Sequence, residues 1–217
     1  MLMMAALLMI FAFAPEEQAM GIIQKIFYFH VPIAWVSFLA FFVIFISSIA
    51  YLVRGRTVCD NLAYSSAEIG LIFNTLMLVT GSIWAKAVWN TWWAWDPRLT
   101  TSLILWFIYA GYLLVRNFGF ERERSARFAA VIGIIGFADV PVVALSIVLW
   151  RTQHPSALVF EGGLTPSMLI TLIVSVTAFT LFYVALLATS LSIRRMEDTV
   201  NELEASDNHR ERTSEIR

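Results

Sequence analysis

The run Ile33-Ala-Trp-Val-Ser-Phe-Leu-Ala-Phe-Phe-Val-Ile-Phe-Ile-Ser-Ser-Ile-Ala-Tyr-Leu-Val53 contains no charged side chain and is closed by Arg54-Gly55-Arg56. As a helix rising about 1.5 Å per residue it reaches about 30 Å, the thickness of a bilayer's hydrocarbon core. The same criterion, about 20 apolar residues, marks six spans, near 1–14, 33–53, 61–83, 99–118, 128–150 and 166–193. Composition agrees: of 217 residues 59% are hydrophobic and 14% charged, against about 25% charged in soluble domains. The expectation is an all-α integral membrane protein of six transmembrane helices, with one membrane domain over 1–193 and a polar tail over 194–217.

The first span is short. Fourteen residues rise only about 21 Å, and Ala12-Phe13-Ala14 resembles a signal-peptide cleavage site. No Lys or Arg precedes it and Pro15 follows directly, so it is read as a retained helix. Orientation follows from the basic residues. Arg54, Arg56, Arg116, Arg122, Arg124, Arg127, Arg194 and Arg195 flank alternate span ends, whereas the opposite loops hold only Lys25, Lys86, Arg98 and Arg151. The first set is therefore cytoplasmic, both termini lie inside, and the segments 15–32, 84–98 and 151–165 lie outside. The tail is read as solvated helix or disorder, with His209 a surface residue. Net charge is −1 and no nucleic-acid partner is expected. Cys59 is the only cysteine, which leaves no disulfide, haem thioether or thiolate zinc site.

The middle outer segment is unusual. Trp84, Trp89, Trp92, Trp93 and Trp95 fall in the run Trp84-Ala-Lys-Ala-Val-Trp-Asn-Thr-Trp-Trp-Ala-Trp-Asp-Pro-Arg98. One or two indoles anchor a helix end at the membrane boundary; this surplus suggests a flat ligand. His30 and His154 lie in the segments before and after it, and both sit near prolines, in His30-Val31-Pro32 and His154-Pro155. A histidine beside a membrane boundary is ordinarily structural or solvated. Two of them flanking an aromatic surface are also the minimum for axial ligation of haem iron from both faces. Asp96-Pro97-Arg98-Leu99 carries two readings as well. Asp at the N-cap and Pro at the first helical position start a helix in any protein, and Thr165-Pro166 repeats the device. Asp96 would also orient a neighbouring group, and Arg98, Lys86 and Arg151 would pair with propionates.

Within the spans, Asp139 lies two residues before Pro141. It is read as protonated or bonded to backbone freed by a proline kink, in preference to a transport role. Glu68 is placed near the cytoplasmic end of the third span, and Asn74, Thr75 and Thr80 are read as joining helices.

These residues resemble the haem-handling family of cytochrome c assembly proteins. Its mark is a tryptophan-rich motif ending Trp-Asp-x-Arg-Leu-Thr, here Trp92-Trp93-Ala94-Trp95-Asp96-Pro97-Arg98-Leu99-Thr100, preceded by Thr80-Gly81-Ser82-Ile83-Trp84. The resemblance covers about 1–193 and includes the six-span layout; larger relatives have more spans and histidines. Where the family usually has Trp-Gly-Lys-Pro and Trp-Gly-Thr-Trp-Trp, this chain has Trp84-Ala85-Lys86-Ala87 and Trp89-Asn90-Thr91-Trp92-Trp93.

The resemblance implies that His30 and His154 are haem ligands, and that the cofactor is non-covalent haem b (iron protoporphyrin IX). It further implies a non-enzymatic task at the periplasmic face of the cytoplasmic (inner) membrane: holding haem and delivering it to a periplasmic haem chaperone, the maturation protein E. Implied partners are an ABC-type ATPase, its membrane subunit, a small accessory membrane protein and membrane lipid. The chain has no Gly-rich phosphate loop ending in Lys-Ser or Lys-Thr, so ATP would be used by those partners. Three alternatives stay open: a membrane b-type cytochrome carrying electrons, a membrane-surface transferase using Asp96, Glu161 and Arg98, and a transporter scaffold whose tryptophans only anchor it.

Overall fold

Helix α1 (Leu2–Leu8) runs into a π-helical turn, Met9–Phe13; a 3-10 turn, Ile22–Ile26, leads into α2 (Phe27–Arg54). Then follow α3 (Thr57–Trp89), α4 (Pro97–Phe118), α5 (Arg122–Phe137), α6 (Asp139–Leu149) and α7 (Pro166–Glu215). This is a computed structural model, and it describes residues 1–18, 20–118, 121–150, 152, 154 and 163–215, the side chains of 202 and 205–215 excepted. Among the described residues five helical segments are long and apolar enough to cross a bilayer: Ile22–Arg54, Thr57–Trp89, Pro97–Phe118, Arg122–Leu149 and Pro166–Asn201. Leu2–Phe13 is shorter; its Ile10 and the following Ala14 share a buried cluster with Met168 and Leu172 of α7. The chain is an all-α, multi-pass membrane protein.

Several boundaries differ from the hydropathy reading. The second span begins well before Ile33, because Phe27 and Tyr28 are buried and extend the packed face. Pro32 is accommodated inside α2, forfeiting one ladder bond. Helix α3 continues through Trp84 to Trp89, so the tryptophan motif straddles a helix end. Ala85 and Ala87, standing where glycine and proline are usual in the family, favour that continuation. The fifth span is divided into two helices at Ala138, since Pro141 lacks the N–H that would bond Phe137 and the helical ladder is interrupted there. The polar tail prolongs α7 to Glu215.

Small residues let the helices approach closely, as membrane packing requires. Gly55 (φ 64°) closes α2 in the left-handed conformation and turns the chain back into α3. A Cβ on Gly70 would lie 2.9 Å from the Ala40 Cβ, and the Ser66 hydroxyl donates to the Ala40 carbonyl at 2.9 Å. Phe41 stacks on Tyr109 with centroids 3.8 Å apart, in a core with Ile44, Leu105 and Val143.

The two ends of the bundle differ in chemistry. At the arginine-rich end Arg116 pairs with Asp60 at 2.5 Å, Arg122 with Asp198 at 2.7 Å, and Arg194 with Glu68, tying α3, α4, α5 and α7 together. Thr75 joins helices as anticipated, accepting the Trp106 indole N–H at 2.8 Å. Asn74 is fully buried, and neither its Nδ2 nor its Oδ1 has a hydrogen-bond partner. Asp139 likewise has an unpartnered Oδ2.

Candidate functional site

The opposite end carries the histidines. His30 stands on the first turn of α2 and is therefore helical, whereas the sequence suggested a loop. Its Nδ1 lies 2.9 Å from the Thr80 Oγ1 of α3. The next residue, Gly81, leaves room for the ring: a Cβ there would lie 3.2 Å from the imidazole Cε1. His154 comes from the segment after α6, and its ring centroid is 6.5 Å from that of His30, with planes inclined 39°. Two residues distant by 124 positions in sequence thus meet at one point.

The pair opens on a small cleft of about 60 Å³, lined also by Trp84, Trp89, Trp93, Arg98 and Val143, with Phe38 and Met77. Trp84 meets His30 edge-on at 6.0 Å. The indole nitrogens of Trp84 and Trp93 are buried without a hydrogen-bond partner. Two other indole N–H groups in the bundle are satisfied, that of Trp35 by Thr180 at 3.1 Å and that of Trp106 by Thr75. Buried donors left open in a cleft suit a ligand with acceptor atoms.

The five motif tryptophans do not form one surface. Trp92 and Trp95 are exposed and line a neighbouring apolar groove with Leu78, Ile83 and Leu103, to which Trp93 also contributes. The division follows from α3 ending at Trp89: Asn90 takes φ 55°, and the chain beyond it turns successive side chains to different sides. Asparagine is among the few non-glycine residues that enter the left-handed region readily, so Asn90 makes the turn that the family's glycine would permit.

Arg98 is the charged residue among those lining the cleft, and its Nη1 donates to the Val143 carbonyl at 3.4 Å. Lys86 is turned elsewhere, donating to the Asn90 Oδ1 at 2.7 Å and so capping its own helix. Arg151 lies outside the described residues, as do Pro155 and Glu161. Asp96 uses both carboxylate oxygens. Its Oδ1 accepts the Leu99 N–H at 2.9 Å, starting α4, and its Oδ2 accepts the Thr152 hydroxyl at 2.9 Å. Thr165 caps α7 in the same manner, with the Met168 N–H at 3.4 Å.

Thr80 and Thr152 escaped notice as site residues. The sequence signal for each is adjacency: Thr152 stands two residues before His154, and Thr80 opens the segment that leads into the tryptophan motif. Neither spacing shows that a hydroxyl reaches an imidazole or its backbone.

The chain is similar to known proteins over most of its length. Heme exporter protein C of Bradyrhizobium diazoefficiens is 39% identical over 178 residues, covering 81% of this chain and 68% of the relative. That of Escherichia coli (strain K12) is 31% identical over 190 residues, 88% of this chain and 76% of the relative. A putative cytochrome c biosynthesis ccmC-like mitochondrial protein of Marchantia polymorpha is 36% identical over 150 residues, 69% and 63% of the two chains. The model of the family described as Heme exporter protein C matches residues 1–207, and the chain belongs to that family.

Proposed function

We propose that the cleft holds haem b non-covalently, with His30 and His154 as axial ligands, and that the protein delivers this haem for c-type cytochrome maturation. The observation that carries the reading is the spacing of the two imidazoles. A nitrogen about 2 Å from the metal and about 1 Å from its ring centre puts two axial centroids about 6 Å apart; the rings here lie at 6.5 Å. Among the described residues no group of three or more His, Cys, Asp or Glu could hold a bare metal ion. Two imidazoles alone suit a metal that arrives with its own equatorial ligands.

The residues divide the work. Trp84, Trp89 and Trp93 offer apolar faces to a flat macrocycle, and the open indole N–H groups and Arg98 offer donors to its carboxylates. Asp96, through Thr152, steadies the segment that bears His154. The site lies at the periplasmic face of the cytoplasmic membrane, opposite the arginine-rich end. Delivery is to a periplasmic haem chaperone, and an ABC-type ATPase with its membrane subunit and a small accessory protein supplies the energy.

A visible absorption spectrum of the detergent-purified protein, oxidised and reduced, tests the assignment. One haem per chain is expected in the wild type and none in the His30→Ala, His154→Ala double variant. Full occupancy with an unchanged spectrum in that variant would overturn it. Passage of the haem to added haem-free chaperone separates delivery from service as an electron-carrying cytochrome, which keeps its haem.

A further inference from the structure

Among the described residues the His30 imidazole has one hydrogen-bond partner, and that partner's own proton is accounted for. The Thr80 Oγ1 lies 2.8 Å from the Leu76 carbonyl oxygen and 3.2 Å from that of Met77, one turn back along α3. It also lies 2.9 Å from His30 Nδ1. A hydroxyl has one proton and two lone pairs. If that proton went to Nδ1, the hydroxyl oxygen would face the Leu76 carbonyl lone pair against lone pair at 2.8 Å. The arrangement is favourable only when Thr80 donates to the carbonyl and accepts from an Nδ1–H.

We propose that Thr80 is a positioning residue that fixes His30 as the Nδ1–H tautomer, leaving the lone pair on Nε2 for the iron. This rests on the ligand reading above. Neutral imidazole binds metal through the nitrogen that lacks the proton, and the partner of the other nitrogen decides which that is. Because His30 and Thr80 stand on separate helices packed side by side, the ring is oriented before any ligand enters. The neighbouring Gly81 contributes by leaving the Cε1 edge uncrowded. Partners of this type change metal affinity about ten- to hundredfold when removed.

The test uses the full-length protein in detergent, with Thr80→Val, which keeps the shape and removes the hydroxyl, and Thr80→Ser, which restores it. In haem-free protein, nitrogen NMR of labelled histidine should show His30 protonated on Nδ1 in the wild type and in Thr80→Ser, and a tautomer mixture in Thr80→Val. In haem-loaded protein, transfer to a scavenging apoprotein should be about ten- to hundredfold faster for Thr80→Val and near the wild-type rate for Thr80→Ser. Wild-type behaviour of Thr80→Val in both measurements would overturn the proposal. So would equal effects of Val and Ser, which would assign Thr80 to packing alone. His30→Ala serves as the control: if it keeps haem with an unaltered spectrum the ligand reading fails, while the NMR result on haem-free protein still stands or falls alone.

Discussion

The Thr152 hydroxyl donates to Asp96 at 2.9 Å while its oxygen accepts the backbone N–H of His154 at 3.1 Å. One carboxylate therefore starts α4 and holds the histidine-bearing segment. Replacing Asp96 by Ala should remove both functions, costing about 1 kcal/mol of helix-start stability and loosening His154. Asp96→Asn keeps an acceptor for the Leu99 N–H and should melt near the wild type. Thr152→Val should leave the melting temperature unchanged and speed haem loss. Because Asp96 and Thr152 act in one chain of bonds, their effects on haem loss should be markedly less than additive; strict additivity in a double-mutant cycle would refute the linkage.

The course of the chain through the membrane is legible in its apolar runs, because hydrocarbon leaves the backbone no partner but itself. The helix starts at Pro97 and Pro166 are legible for a local reason: cap and first-turn residues act within one turn. What pattern does not reveal is where a helix stops when no breaker intervenes. Trp84 and Trp89 look like loop residues beside the other indoles, yet alanines between them carry α3 onward. Nor does it reveal which indoles share a surface, since that depends on the direction of the chain after Asn90. The pairing of His30 with His154 was suggested by their positions around the motif, whereas their separation of 6.5 Å is a property of the packed bundle.

Asn90 provides a test of that turn. Its positive φ costs a β-branched residue roughly 1–2 kcal/mol and glycine nothing, although glycine also loses the Oδ1 that accepts from Lys86. Asn90→Gly should melt within about 0.5 kcal/mol of the wild type and retain haem. Asn90→Val should be destabilised and should displace Trp93 from the cleft, seen as a loss of bound haem. Equal stability of the two variants would mean that the left-handed turn is not maintained in solution.

The division of the tryptophans predicts unequal consequences for one conservative change. Trp→Phe keeps an aromatic face and removes the indole N–H. At Trp84 and Trp93, whose nitrogens are buried and unpartnered, it should weaken haem retention during gel filtration. At Trp95, 78% exposed, and at Trp92 it should have no such effect. A uniform response at all four would mean that these tryptophans act as one surface after all.

The arginine-rich end allows a stability comparison independent of any ligand. Arg116 and Asp60 are each 6% exposed in their side chains, whereas Arg122 is 51% exposed. Removing one member of a buried pair strands the other charge, at about 3–5 kcal/mol; removing one member of an exposed pair costs less than about 1 kcal/mol. Thermal melts in detergent should therefore place Arg116→Ala far below Arg122→Ala. Similar melting temperatures would show that water reaches Asp60.

Gly81 separates folding from function most cleanly. Helical Gly→Ala exchanges gain about 0.5–1 kcal/mol where space allows. At Gly111 a Cβ meets nothing within 4 Å, and at Gly81 it meets only His30, at 3.2 Å from Cε1 and 3.8 Å from Nδ1. The ring must then yield by a few tenths of an ångström while Thr80 holds its other edge, so the strain falls on the imidazole and leaves the helix intact. Gly111→Ala and Gly81→Ala should both melt at or above the wild-type temperature. Haem should dissociate at the wild-type rate from Gly111→Ala and several-fold faster from Gly81→Ala, because a ligand displaced by so little still folds but no longer meets the metal squarely. Slow dissociation from both would mean that His30 has freedom to move, contrary to its hold by Thr80.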